Sequence, residues 1–402
     1  MDIKVFPGLL KGSVVLPPSK SMAHRILLAA ALAGTNDIES LLPETSLISD
    51  DIYATLKAAK QIRSTSPIID CMDSGTTLRL LLPVFAALNG KLAGKDDKCV
   101  FSFSDQLKKR PMSVLLDVLT AGGCEVSQTE NAIEVKGKFH GGRYELPGNI
   151  SSQYISGLLF ALPLTDEGGE IVLTTKLESR PYVDMTLDVL SGFNISFYES
   201  TENGFPVFSI QGNQKYITDS QQISIEGDWS NGAFWHTAKF LGSSLEIGNL
   251  KDDSIQGDSQ VTEILSKFKK NTDIVLDINN IPDLAPILAV AAAFRRDYNT
   301  EFINTERLRL KESDRVKSTM DLIRSIGGQC TLTDQGFVVI GTAGVAGGRV
   351  DSYGDHRIAM AAAIAGSASD EPVIIENAQC VSKSYPDFFD HFEKLGGKIV
   401  KL

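Results

Sequence analysis

The chain has 402 residues, 43% of them apolar, a length and composition suited to two substantial cores. Its net charge of −11 argues against general binding to nucleic acid, so any anion site must be a local basic cluster on an acidic surface. Five cysteines, Cys71, Cys99, Cys124, Cys330 and Cys380, occur without a Cys-x-x-Cys pair, which argues against a zinc knuckle or a disulfide framework and fits a reducing cytoplasm.

Lys4 is followed at once by a short strand-like run, so no signal peptide is expected. Apolar helix candidates such as Ala285 to Phe294 are too short to span a bilayer. The run Val14-Val15-Leu16 reads as a strand, stopped by Pro17-Pro18 because proline cannot donate to a central ladder. Pro18-Ser19-Lys20-Ser21-Met22-Ala23-His24-Arg25 then opens an apolar helix from Met22 to Ala33, with Ser19 or Ser21 as N-cap and Gly34 as C-cap. Free N–H groups, hydroxyls, a lysine and an arginine at one helix start favour an anion, although a solvated helix start would read the same way.

Further along, one pattern recurs. An amphipathic helix ends in glycine and a β-branched strand follows, at Gly122-Gly123, Gly192, Gly327-Gly328 and Gly396-Gly397. After the first three, a polar turn leads to a second strand: Ala132 to Val135, Val207 to Ile210, and Phe337 to Ile340. Interleaved are six helices apolar on nearly every side, from Met22, Thr76, Tyr154, Gly232, Ala285 and Arg357. Such helices belong inside a layer. Amphipathic partners start near Ser49, Pro111, Tyr182, Ser259, Asp314 and Pro386. The repeat predicts an α/β protein of six units, each with strand, buried helix, strand, surface helix and hairpin. A doubly wound fold is the plainer alternative, but there is no G-x-G-x-x-G after a first strand and no Walker lysine loop. Hinges at Pro17-Pro18 and Glu226-Gly227-Asp228 would set off residues 19–226 as one domain and 1–18 plus 227–402 as the other.

The helix starts share a chemistry. Asp73-Ser74-Gly75-Thr76-Thr77-Leu78-Arg79 supplies a glycine that lets backbone N–H groups approach a phosphate, and Ser151-Ser152-Gln153 supplies hydroxyls and an amide. Lys108-Lys109-Arg110-Pro111 puts a basic triplet ahead of a helix with proline in its first turn. Pro282-Asp283, the charged run Arg307 to Arg315 with Ser313 as a candidate N-cap, Gly354-Asp355-His356-Arg357 and Ser382-Lys383-Ser384 complete the set. Each alone reads equally well as a cap or solvated charge; together they repeat basic residues at one structural place in an acidic protein.

These stretches, with Ser179-Arg180-Pro181-Tyr182, occur in one order between residues 18 and 387 and resemble the 5-enolpyruvylshikimate-3-phosphate synthase family. The resemblance implies two domains, each of three βαβαββ-type units with buried parallel helices (an inverse α/β barrel), and an active-site cleft between them. It implies a cytoplasmic monomer without cofactor, metal, nucleic-acid or membrane partner, acting on phosphoenolpyruvate and shikimate 3-phosphate. Phosphoenolpyruvate would meet Lys20, Gly75, Arg110, Gln153, Arg315, Arg357 and Lys383. Shikimate 3-phosphate would meet Lys20, Ser21, Arg25, Ser151, Ser152, Gln153, Ser179, Tyr182, Asp283 and Lys311. Asp283 would be the base, Glu312 the acid, and Lys20 would stabilise developing charge. Two residues depart from the family pattern. Asp73 stands where many members have asparagine, and is expected to pair with Lys20 or Arg110. Arg307 stands where some have a neutral amide. The sister UDP-N-acetylglucosamine enolpyruvyl transferases use a cysteine on a mobile loop, and the corresponding Ser104 to Ser113 has none. A non-catalytic relative would lack the acid or the base, and both are present.

Overall fold

The computed structural model describes residues 1–42, 48–89, 91, 97–218 and 223–402. Residues 20–42 and 50–225 form one compact unit, here the first unit; residues 1–19, 48–49 and 226–402 form the other, the terminal unit. Each has its own apolar core.

The first unit carries α1 (Lys20–Ala33), α2 (Asp50–Ala59), α3 (Gly75–Leu88), α4 (Ser113–Ala121), α5 (Ser152–Ala161) and α6 (Arg180–Gly192). The terminal unit carries α7 (Trp229–Phe240), α8 (Val261–Phe268), α9 (Ala285–Ala293), α10 (Arg315–Ser325), α11 (His356–Ala368) and α12 (Phe388–Lys394). Each helix begins within a turn of the place its sequence predicts. The odd-numbered helices form the interior: every residue of α9 is buried, as is all of α3 except Thr76. The even-numbered helices bury one face. In α8, Val261, Ile264, Leu265 and Phe268 turn inward and Glu263 and Lys267 outward.

Close packing of the buried helices depends on small residues. A Cβ on Gly157 of α5 would lie 2.3 Å from the Arg79 carbonyl of α3. That carbonyl has no intrahelical donor, because Pro83 stands four residues on and lacks an N–H. The helices meet where one has a free carbonyl and the other no side chain.

Four sheets repeat one pattern: two parallel strands, a third antiparallel to the second, and a fourth antiparallel to the third. In the first unit, Ile68–Asp70 runs parallel to Lys98–Ser102, which pairs with Ala132–Lys136 and so with Glu125–Gln128. The second sheet orders Gly142–Leu146, Gly168–Leu173, Phe205–Gln211 and Phe197–Glu202 alike. In the terminal unit, Ile274–Asp277, Asn299–Ile303, Gly336–Ile340 and Gln329–Thr333 repeat it. The last sheet orders Gly348–Asp351, Val373–Glu376, Ile3–Phe6 and Lys398–Lys401. The hairpin that should follow Gly396-Gly397 is thus closed by the N-terminal strand, with Ile3 opposite Lys401 and Phe6 opposite Lys398.

Two of the six units are shorter than the repeat predicts. The one holding α7 and α8 has a parallel pair, Lys11–Val15 with Ser244–Gly248, and no hairpin; the one holding α1 and α2 has no strand among the described residues. Two start signals also differ. Pro111 precedes the first turn of α4, which opens at Ser113, so its ring shapes the approach and leaves its carbonyl free to accept. The N-cap of α10 is Asp314, not Ser313: its carboxylate accepts from the N–H groups of Val316 at 3.1 Å and Lys317 at 3.2 Å. A carboxylate at that place also meets the positive end of the helix dipole.

Candidate active site

In the first unit the predicted residues gather at the starts of α1, α3 and α5. Lys20, the first residue of α1, lies 2.8 Å from Asp51 of α2, a partner sequence reasoning missed. Ser74 caps α3 by accepting from the Thr77 N–H at 3.2 Å. Behind it, hydrogen bonds link Thr77 Oγ1 to Ser74 Oγ (2.7 Å), Thr55 Oγ1 to Thr77 Oγ1 (2.6 Å), and His24 Nδ1 to Thr55 Oγ1 (2.6 Å). This buried chain joins α1, α2 and the start of α3. Burial, followed by the charges of Lys20 and Arg25, pushes the His24 pKa well down, so the ring is neutral.

Gly75 and Arg110 lie side by side. A Cβ at position 75 would come within 2.7 Å of Arg110 Nη1, so a larger residue there would make the guanidinium shift. Gln153 is held on both sides: its Nε2 donates to Thr76 Oγ1 at 2.8 Å, and its Oε1 accepts from Arg79 Nη1 at 2.9 Å. Arg79 also donates to the Pro111 carbonyl at 2.9 Å, as does the hydroxyl of Tyr154. Arg79, quoted only as part of a motif, is therefore what joins the Gln153 and Arg110 stretches.

Ser151 caps α5 by accepting from the Gln153 N–H at 3.3 Å, with Ser152 next to it. Arg25 is buried and donates to Thr186 Oγ1 (2.8 Å), the Ser21 carbonyl (2.7 Å), Ser156 Oγ (3.4 Å) and the Tyr182 carbonyl (2.7 Å). It thereby ties Ser21 of α1 to Tyr182 of α6. Ser179, just before α6, has φ +54°, a left-handed conformation uncommon for serine and often found where function dictates the backbone. Asp73, expected to face Lys20 or Arg110, accepts a hydrogen bond from Ser104 Oγ. The same hydroxyl caps the single turn Asp105–Lys108 that leads into the basic triplet.

In the terminal unit a carboxylate cluster forms around one arginine. Arg315, the first residue of α10, is 1% exposed. It donates to Asp283 at 2.7 Å, to Glu312 at 2.8 Å, and to Asp355 at 2.7 and 3.2 Å. Asp355 caps α11 by accepting from the Arg357 N–H at 2.9 Å. Asp283, in the turn Pro282–Leu284 ahead of α9, is also reached by Arg357 at 3.2 Å and Lys311 at 3.4 Å. Burial opposes the charge of Arg315, but Asp355, Glu312 and Asp283 outweigh it and hold its pKa well above the usual value. Burial lowers the Lys311 pKa; Asp283 opposes it, but the like charges of Arg315 and Arg307 add to the lowering. Nε and Nη1 of Arg357 are buried and find no acceptor among the described residues, so this guanidinium has donors to spare. Lys383 donates to the Gly354 carbonyl at 3.3 Å.

Asp258, not singled out from sequence, accepts from Ser230 Oγ in the same unit. Burial and then the charge of Asp283 push its pKa up to about 7. Its only sequence signal is a lone carboxylate after Gly257, which any exposed turn would show. Four of the five thiols are inert: Cys71, Cys99, Cys124 and Cys380 are buried, and burial pushes Cys124 up to about 12 and Cys380 to about 11.

The residues singled out from sequence thus lie at helix starts within each unit, and comparison with known proteins gives the family that the sequence resembles. The model of EPSP synthase (3-phosphoshikimate 1-carboxyvinyltransferase) matches residues 6–67 and 61–392. A 3-phosphoshikimate 1-carboxyvinyltransferase of Clostridium novyi is 37% identical over 99% of this chain and 98% of its own length. That of Clostridioides difficile is 34% identical over 99% and 98%. The solved structure of EPSP synthase from Acinetobacter baumannii superposes with a TM-score of 0.76 at 22% identity, covering all of both chains. The enolpyruvyl transferase NikO from Streptomyces tendae shares the fold, with a TM-score of 0.68 at 14% identity, over 99% of this chain and 98% of that one. The chain belongs to the EPSP synthase (3-phosphoshikimate 1-carboxyvinyltransferase) family.

Proposed function

We propose that this enzyme transfers the enolpyruvyl group of phosphoenolpyruvate to the 5-hydroxyl of shikimate 3-phosphate and releases phosphate, with Asp283 as base and Glu312 as acid. The observation that carries the assignment is the double grip of Arg315 on Asp283 at 2.7 Å and Glu312 at 2.8 Å. One buried guanidinium fixes two carboxylates whose roles must be complementary.

In the first step Asp283 accepts the proton of the 5-hydroxyl as its oxygen adds to C2 of phosphoenolpyruvate. Glu312 delivers a proton to C3, which becomes a methyl group. In the second step Glu312 recovers a methyl proton, the double bond re-forms, and phosphate departs with the proton held by Asp283. Lys20 stabilises charge beside C2. The phosphoenolpyruvate contacts are Lys20, the backbone at Gly75, Arg110, Gln153, Arg315, Arg357 and Lys383. The spare donors of Arg357 suit an anionic ligand. Shikimate 3-phosphate contacts Lys20, Ser21, Arg25, Ser151, Ser152, Gln153, Ser179, Tyr182, Asp283 and Lys311. The enzyme acts as a cytoplasmic monomer. The sister reaction on a UDP-sugar finds no support in the loop Ser104 to Ser113, which carries no cysteine.

The test is phosphate release from phosphoenolpyruvate, measured with shikimate 3-phosphate, with UDP-N-acetylglucosamine, and with neither. Release only with shikimate 3-phosphate is expected; release only with the UDP-sugar would reject the assignment.

A further inference from the structure

Two stretches of the terminal unit, one ending at Ser19 and one beginning at Glu226, are held by a single amide. Gln256, 4% exposed, lies just ahead of the turn Gly257–Gln260. Its Oε1 accepts from Ser19 Oγ at 2.8 Å and from the Trp229 N–H at 3.2 Å. Its Nε2 donates to Glu226 Oε1 at 2.7 Å and to the Gly227 carbonyl at 2.9 Å. Both lone pairs and both hydrogens of the amide are therefore in use. Ser254 donates to the same Glu226 oxygen at 2.6 Å and accepts from the Gln256 N–H at 3.1 Å. The two stretches also bond to each other: the Ser19 N–H donates to the Glu226 carbonyl at 2.8 Å, and Pro18 forms a bridge with Gly227. Gly227 admits no side chain, since a Cβ there would lie 2.2 Å from the Asn249 carbonyl.

We infer that Gln256 is a positioning residue for Lys20: it fixes Ser19, the residue before Lys20, and locks it to Glu226, so that the backbone entering Lys20 is held in one conformation. The inference rests on the reading of Lys20 as a reacting-centre lysine. A buried, fully satisfied amide costs more to lose than it contributes, because four buried hydrogen bonds are lost at once. No other side chain of this size both accepts twice and donates twice. A carboxylate at position 256 would keep the two accepted bonds and lose both donated ones, facing Glu226 with like charge.

The experiment uses the full chain and steady-state phosphate release with both substrates. Gln256→Glu should lower kcat about tenfold with little change in either KM, since positioning is lost and binding groups are kept. The loss should deepen as pH rises, because the new carboxylate ionises against Glu226; Asp228 and Asp258 are the other acids on the packed elements, and His236, stacked on Trp229, is the neutral base. Adding Glu226→Gln restores a donor opposite an acceptor and should recover most of kcat. Ser19→Ala, which removes the bond to Gln256 and no charge, should lower kcat about threefold and serves if Gln256→Glu does not fold. Wild-type kcat in either single variant, or a loss that the double variant does not recover, would overturn the inference. Lys20→Met separates the underlying reading: full activity there rejects the role of Lys20 itself, whatever Gln256 does.

Discussion

Arg25 and Arg315 are both sealed from solvent, at 2% and 1% exposure, in surroundings of opposite kind. Arg25 meets hydroxyl and carbonyl oxygens, and among the described residues no carboxylate pairs with it; burial draws its pKa down to about 10. Arg315 meets Asp283, Glu312 and Asp355, and its pKa is held up despite burial. Neutral oxygens orient a cation without cancelling it, so Arg25 keeps a charge that a phosphorylated ligand can compensate. Carboxylates cancel the cation and are in turn aimed by it. The first arrangement suits binding and the second suits proton transfer, and each is costly when half of it is removed.

Removing the carboxylates tests the second arrangement most directly. Asp283→Asn and Glu312→Gln should each lower kcat by about 10² or more with substrate affinity largely kept. If these groups only neutralise Arg315, the loss will appear as lowered stability with near-normal kcat.

Stability then separates the two arginines. Arg315→Met takes the buried cation from Asp355 and leaves Asp283 only its longer pairs with Arg357 and Lys311, and should cost about 3–5 kcal/mol in urea unfolding. Arg25→Met strands only neutral partners and should cost about 1–3 kcal/mol, while raising KM for shikimate 3-phosphate. Equal costs would break the comparison.

A smaller effect comes from Asp258. Its folded-state pKa of about 7 lies above the unfolded value, so the folded protein holds a proton that the unfolded chain has released. The unfolded state binds fewer protons in that window, and stability falls as pH rises toward 7. Asp258→Asn abolishes this dependence and keeps the contact with Ser230, so its Tm should exceed that of wild type above pH 7 and converge with it near pH 4. A parallel pH profile would show that Asp258 is ionised throughout.

The smallest effect is expected at Asp73. Tied to Ser104, it adds negative charge near Gly75, and Asp73→Asn should lower KM for phosphoenolpyruvate about two- to threefold. An unchanged KM would mean that its field does not reach the ligand.

Helix order and helix starts were legible because apolar periodicity and small polar residues report directly on local structure. What escaped reading was pairing. Nothing local says that Lys20 meets Asp51, that Arg79 bridges Gln153 and Pro111, or that Gln256 reaches Ser19 and Glu226. These contacts join distant stretches and follow from tertiary packing. Adjacent cap candidates were ambiguous for another reason: Ser313 and Asp314 are both good caps, and only the backbone decides between them. The hairpin pattern was readable three times and failed at the fourth, since its second strand comes from the opposite end of the chain.

That exchange has a consequence for how the protein is made. Ile3–Phe6 is an inner strand, flanked by Val373–Glu376 and Lys398–Lys401, so both of its neighbours are synthesised long after it. On the ribosome, residues 20–225 hold a complete core and both of their sheets before the terminal unit can close. The N-terminal strand meanwhile waits with both edges unpaired, a template for wrong partners until the last sheet is finished. Because the Leu402 N–H donates to the Asp2 carbonyl at 2.9 Å, a short linker between the ends would let a circularly permuted chain, opened at an exposed turn, make that strand alongside its neighbours.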